Sequence, residues 1–280
     1  MSKRWKSSFV VLGALMLLSI VLVGCGKKDA SANEKPLVVA TSGTLYPTSY
    51  HDKKTKKLTG QGIEIARAVA KKLHRKIEFK EYNVDGQLTA VKTGKADFAA
   101  NDFNVAPNRM KGFIFSTPFK YSFSSMVVRK SDNSGINSWS DLKGKKAAGE
   151  AGTVYQRLAE QQGATLVNYD NVSNDVYLKD VKKGKTDVIL NDYYLQKLAL
   201  EAIPNNGLTI NKKLYYTTKD DEGGVAFVMK KGNSKLQKDI NKALKELKDD
   251  GTLKKISEKF YNADVTKKPT VKITKHFDIE

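Results

Sequence analysis

LTAVKTGKADFAAND, Leu88 to Asp102, and LKDVKKGKTDVILND, Leu178 to Asp192, share one layout: a helical stretch, Gly-Lys, an aspartate, a short apolar run and a closing Asn-Asp. Glycine directly after a helical pattern suits the left-handed position at a helix C-terminus, which it enters without strain. The short apolar run that follows reads as a buried strand. Matching units in the two halves of the chain point to duplication into two similar lobes. Chance is the competing explanation, because helix-Gly-Lys-strand is a common way to turn. Under either explanation, Asn101-Asp102 and Asn191-Asp192 fall at the carboxyl ends of strands, where ligands bind in open α/β sheets.

Outward from the first unit, Leu37 to Thr41 is a short apolar strand, and Gly60 precedes a helix pattern with Ile63, Ile65, Ala66, Val69, Ala70 and Leu73 on one face. Ile77 to Tyr82 alternates like a strand. The rhythm changes near Ser124, where Ser125 to Arg129 reads as a strand and Lys130 to Ser134 is polar. Trp139-Ser-Asp-Leu-Lys-Gly144 opens a second set of units: a strand at Ala147 to Ala151, a helix from Thr153 to Gln162 with Thr153 placed to cap it, and a strand at Leu166 to Tyr169. After the second repeat come a strand at Gly223 to Met229 and amphipathic helices over Leu236 to Leu247 and Leu253 to Phe260. Strands alternating with helices imply parallel pairing and an α/β fold.

The chain has 280 residues and a single cysteine, Cys25. Lys3, Arg4 and Lys6 form a positive start, Phe9 to Val23 is free of charge, and Leu22-Val-Gly-Cys25 closes the run. That order describes a secretory signal, and the closing four residues resemble a bacterial lipobox. The expectation is a signal peptide over 1–24, a diacylglyceryl anchor on Cys25 and a flexible polar tether over 25–35. A transmembrane helix is the alternative, but a span needs about 20 apolar residues, and this run falls short. With no other cysteine, an internal disulfide is impossible, so a hydrophobic core alone must stabilise the body. The net charge is +19. The lysines are spread along helix patterns beside Asp and Glu, and export removes the protein from nucleic acid. A basic solvated surface near an anionic envelope is therefore expected.

Further motifs join these in order: Leu58-Thr-Gly60, Pro107-Asn-Arg109, Phe115-Ser-Thr-Pro-Phe119, and Ala243-Leu-Lys-Glu-Leu-Lys-Asp-Asp-Gly-Thr-Leu253. Together they resemble the solute-binding proteins of polar amino-acid ABC importers, family 3 of the bacterial extracellular solute-binding proteins, from Val38 to about Asp264. The resemblance implies a type II periplasmic-binding-protein fold: two α/β lobes joined by two crossing hinge strands, near Ser124 to Arg129 and Glu222 to Val228. Lobe one is then 36–127 plus 226–280, and lobe two 128–225. The implied role is capture of an amino acid in the interlobe cleft for ABC permease and ATPase subunits, without cofactor or metal. The implied place is the cell membrane, lipid-anchored and facing outward on a Gram-positive cell, as a monomer.

A free amino acid is a zwitterion, so its pocket needs a cation for the carboxylate and an anion for the ammonium. Arg109, after a strand and a proline turn, offers a planar fork that makes two parallel charge-assisted hydrogen bonds. The resemblance matches it to the carboxylate-binding arginine; an exposed surface arginine is the alternative. Asp192 matches the ammonium-binding aspartate of the opposite lobe; a plain helix cap is the alternative. Gly152, Thr153 and Val154 open a helix whose N–H groups suit a carboxylate, and Thr153 would also serve as a simple cap.

Asn101, Asp102, Asn104 and Ala106 stand where relatives often carry Ser or Thr, and Gly62 where they carry an acid. Tyr46 is either a stacking wall or a core residue. Asp102, an extra acid, fits an added amino group, which makes sulfur amino acids, cystine foremost, the leading ligands, with basic and other polar amino acids close behind. A two-lobed enzyme of dehydratase or wall-lyase type is the main rival, and a surface adhesin the third reading. His51, His74 and His276 are isolated in the sequence, and no Ser-His-Asp order, metal-ligand cluster or phosphate-cradling loop appears.

Overall fold

Three parallel strands form the heart of each half, and both halves arrange them in the same order. The computed structural model describes residues 35–169, 172, 174–203 and 205–279. The expected signal, Cys25 and all but the last residue of the tether lie outside them. In the first half, Leu37–Thr41 lies between Ile77–Glu81 and Phe98–Ala99. In the second, Lys146–Gly149 lies beside Thr165–Asn168, and a parallel bridge from Ala147 to Val188 leads into Ile189–Asp192. Helices Gln61–Lys72 and Val84–Thr93 link the first trio; Val154–Gln161 and Asn174–Lys182 link the second.

The repetition extends to single hydrogen bonds. Val38 N–H donates to Asp97 Oδ2 at 2.8 Å, and Asp97 N–H donates back to the Val38 carbonyl at 2.7 Å. Lys146 N–H donates to Asp187 Oδ2 at 2.9 Å, and Asp187 N–H to the Lys146 carbonyl at 2.8 Å. The preceding glycines, Gly94 and Gly184, take φ of 78° and 73°, the left-handed turn that releases the chain from helix to strand. The aspartate thus clamps the third strand onto the first in each half, where its carboxylate meets an otherwise unpaired backbone donor.

Each half completes its sheet with antiparallel strands. Val228–Lys230 inserts between Phe98–Ala99 and Phe113–Phe115. In the second half, Ser124–Arg129 pairs with Ile189–Asp192 and with Leu208–Ile210, while Tyr216–Thr218 meets Ser124. Two of the buried clusters show how each half is packed. One joins Leu37, Val39, Val69 and Phe98 to Phe227, Ile240 and Leu244, which brings the amphipathic helix Ser234–Asp249 onto the first sheet. The other gathers Met126, Leu158, Val188, Leu190 and Tyr216.

The pairing corrects two of the expected lobe limits. Ser124–Arg129 is a strand of the second sheet, because Ser124 to Val127 pairs with Ile189–Asp192 and Val127 to Arg129 with Leu208–Ile210, so 124–127 pair within the second half. The tail does not stay with lobe one either. Lys275–Phe277 pairs in parallel with Tyr216–Thr218, and Phe277 packs edge-on to Trp139 at 4.6 Å between ring centres. Burying that ring gives the tail its reason to return to the second sheet.

The crossings themselves run side by side. Val225 bridges to both Asn104 and Lys120; Phe119 N–H donates to the Val225 carbonyl at 2.9 Å, and Val225 N–H to the Lys120 carbonyl at 2.8 Å. Gly223 leaves no room for a side chain there, since a Cβ would sit 2.1 Å from the Val105 carbonyl oxygen. The two interlobe segments and the end of the Asn101–Val105 stretch are therefore in backbone contact.

Candidate functional site

Asp102 and Asp192, the closing residues of the two repeats, meet at one point. Asp192 caps the helix Tyr193–Glu201: its Oδ1 accepts from Leu195 N–H at 2.9 Å, which fixes the carboxylate and turns Oδ2 away from the helix. Asp102 reaches the same place from lobe one. Between them lies the ammonium of Lys120, which donates to both oxygens of Asp102 at 2.9 Å and to Asp192 Oδ2 at 3.0 Å. Lys120 is wholly buried and Asp192 is 5% exposed. Charges are stable in such a place only when paired and hydrogen-bonded. Burial disfavours the charged amine, yet the carboxylates of Asp102 and Asp192 outweigh it and hold the Lys120 pKa well above the lysine range. Burial pushes the Asp102 carboxyl up, and the Lys120 charge opposes that shift.

Aromatic rings enclose this ion cluster. The Tyr261 ring lies 5.2 Å from Lys120 Nζ, and its hydroxyl is bonded to that of Thr48 at 3.0 Å. Tyr194 meets Tyr261 edge-on, while Tyr193 stacks on Phe123 with ring centres 4.4 Å apart. Tyr155, in the first turn of the helix after Thr153, has its pKa pushed far up by burial and by the charges of Asp221, Asp192 and Asp102.

Asp221, next to the second crossing, forms a capping box with Thr218: Oδ2 accepts from Thr218 N–H at 2.7 Å and from the Ser124 hydroxyl at 3.1 Å. Burial raises its pKa to about 7, against the opposing effect of the Thr218 N–H and with a smaller upward push from Asp192.

The other expected site residues fall as follows. Arg109 is half-buried in the short helix Pro107–Met110; its Nη1 donates to the Asn104 carbonyl at 3.3 Å, and its guanidinium faces Phe103 at 6.0 Å. It therefore rises from the same segment that carries Asp102. Asn104 joins the crossing through Val225, and Asn101, nearly buried, accepts from the Ser42 hydroxyl at 3.3 Å. The Thr153 hydroxyl donates to the Glu150 carbonyl at 2.9 Å and accepts from Gln156 N–H at 3.3 Å, so the capping role holds. Gly152 is exposed with φ of 74°, and Val154 is buried beside it. Tyr46 is exposed and packs edge-on to Tyr50, which corrects the core alternative.

Asp102 is not an unpaired acid: Lys120 donates to both its oxygens at 2.9 Å and balances its charge. Lys120 is the residue that sequence reasoning missed. Its one signal is a lysine in the aromatic stretch Pro118-Phe-Lys-Tyr-Ser-Phe123, where a charged side chain must find a buried partner.

Among the described residues, no group of three or more His, Cys, Asp or Glu is placed to hold a metal, and no helix is long and apolar enough to cross a membrane. His51 bonds to Glu81 at 2.7 Å and His276 to the Thr217 hydroxyl at 2.6 Å, both on exposed surfaces away from the ion cluster.

Residues 37–263 match the profile of the bacterial extracellular solute-binding proteins, family 3. The chain is 50% identical over 275 residues, 94% of each chain, to the probable ABC transporter extracellular-binding protein YckB of Bacillus subtilis. It is 35% identical over 274 residues, 92% of this chain and 98% of the relative, to the L-cystine-binding protein TcyA of Bacillus subtilis. The crystal structure of Bacillus subtilis YckB superposes with a TM-score of 0.76 at 53% identity, covering 87% of this chain and 96% of that one. An ancestral arginine-binding protein bound to arginine superposes at 0.71 with 32% identity, covering 81% of this chain and 99% of that one.

Proposed function

The chain belongs to the bacterial extracellular solute-binding proteins, family 3, and on that footing we propose that it grips a free amino acid between its lobes and delivers it to the permease and ATPase subunits of an ABC importer. One observation carries the reading: a strand-end aspartate from each lobe converges on a single primary ammonium, that of Lys120. The interlobe region is thus already shaped to hold a positively charged nitrogen away from water. Asp192 would hold the ligand ammonium through Oδ2, and Arg109 the carboxylate through its guanidinium fork. The N–H groups at Gly152, Thr153 and Val154 would assist the carboxylate, with Asn101, Asn104 and Tyr46 as rim contacts.

Contacts contributed from both lobes exist together only when the lobes are closed, so ligand binding favours closure by the difference in affinity between the two forms. Likeness to TcyA supports a sulfur amino acid, cystine foremost. The working lobes are 36 to about 120 with 226 to about 265, and 124 to about 222 with Lys275–Phe277. The protein is proposed to act as a monomer, lipid-anchored through Cys25 on the outer face of the cell membrane.

A thermal-shift screen against the common amino acids and cystine, followed by calorimetry on the best ligand, tests the reading. Wild-type protein is expected to bind one class at micromolar affinity or tighter, and Arg109→Ala to lose that binding. A wild type that binds none of them, or an Arg109→Ala protein that binds as well as its parent, would refute it.

A further inference from the structure

Lys120 lies on the first crossing segment, where it bridges to Val225, and its side chain is completely buried. An ammonium has three N–H donors, and three carboxylate oxygens lie within 3.0 Å of Nζ: both of Asp102 and Oδ2 of Asp192. The group is saturated, so it does not offer itself to a ligand carboxylate. Its effect is on charge. Asp102 and Asp192 alone would present two negative charges to a ligand, enough for an α-ammonium and a second cationic nitrogen. With Lys120 between them, one remains. That suits the single ammonium of an amino acid whose side chain carries no positive charge, and a second cation would meet Lys120 at close range.

Asp102 and Asp192 are tied to Lys120 across 18 and 72 residues of sequence, so the pairing joins three segments that meet only in the folded chain. Tyr261 packs beside the ammonium at 5.2 Å and leaves it no route to solvent on that side.

We propose that Lys120 is the specificity-determining residue for ligand charge: by neutralising Asp102 it confines the cleft to amino acids without a cationic side chain. The proposal rests on the amino-acid reading of the cleft and deepens it. It leaves cystine acceptable, because the far end of that molecule carries its own carboxylate beside its ammonium.

L-arginine and L-citrulline have nearly the same shape and differ in side-chain charge. Their affinities are compared by calorimetry for wild type, Lys120→Met and the double variant Lys120→Met/Asp102→Asn. The arginine-to-citrulline preference is expected to rise at least tenfold in Lys120→Met and to return to the wild-type ratio in the double variant. A lysine that merely fills space would move both affinities together and would not respond to Asp102→Asn. Thermal unfolding of the unliganded proteins reads the same pairing without any ligand: Lys120→Met lowers the midpoint, and adding Asp102→Asn restores most of the loss. An unchanged ratio in a wild type that does bind amino acids overturns this inference alone, as does a midpoint that Asp102→Asn fails to restore. A wild type that binds no amino acid at all sinks the proposed function, and the selectivity role falls with it.

Discussion

Replacing Asp221 by asparagine should abolish a pH dependence of stability that the fold imposes. Asp221 is buried beside the second crossing, and its carboxyl titrates at about 7 in the folded protein against 3.8 for the free side chain. The folded state therefore binds this proton more tightly than the unfolded chain does. Below about pH 4 both states are protonated, and the group contributes its full stabilisation. Between about pH 4 and 7 the unfolded chain has released the proton and the folded protein has not, so stability falls as pH rises, by up to about 1.4 kcal/mol per pH unit. Above about pH 7 both are ionised and the loss is complete. From pH 5 to pH 8 the interval left to cross is about two units, or about 3 kcal/mol. Asparagine keeps an oxygen for Thr218 N–H and the Ser124 hydroxyl but carries no titrating proton. Urea unfolding of both proteins at pH 5 and pH 8 gives the comparison directly: the variant should gain about 3 kcal/mol on the wild type between the two conditions. A wild-type-to-variant difference that is the same at both pH values would refute the reasoning, and with it the raised pKa of the buried Asp221 carboxyl.

Asp97→Ala and Asp187→Ala should each lower stability by about 1–3 kcal/mol, because each leaves a strand N–H, that of Val38 or Lys146, without its carboxylate; chemical denaturation checks the pair, and a loss confined to one of them would contradict their equivalence. Phe277→Ala should cost about 3 kcal/mol by emptying the space beside Trp139 and Tyr216, and unfolding followed by tryptophan fluorescence reads it; an unchanged midpoint would detach the tail from lobe two. Phe227→Ala removes a ring held between Phe98 and Phe119 at 4.9 and 4.7 Å and should cost about 3–5 kcal/mol by the same measurement; a loss under 1 kcal/mol would mean that the first core closes over the gap.

The strand-and-helix rhythm, the glycines at 94 and 184 and the strand-end acids were legible because each is a local signal: a period, a left-handed turn, a boundary. The family motifs extended that reading to the fold and the amino-acid class. Ser125 to Arg129 is legible as a strand but not as part of the second sheet, since its apolar residues say nothing about which strands bond to it. The strand Lys275–Phe277 escaped notice because only Phe277 of its three residues is buried, and its partner lies far away at Tyr216–Thr218. Asp102 reads as waiting for a ligand because its neutralising lysine lies 18 residues ahead, where the chain begins to cross between lobes. Single-residue charge patterns do not report such pairings; the apolar surroundings of Lys120 were the one available hint.

A crystal structure of the complex with the amino acid selected by the binding screen tests the central claim most directly. The ligand carboxylate should lie on the Arg109 guanidinium and its ammonium on Asp192 Oδ2, with the lobes shut around it. A ligand seated elsewhere, or one held through a single lobe, would contradict the account.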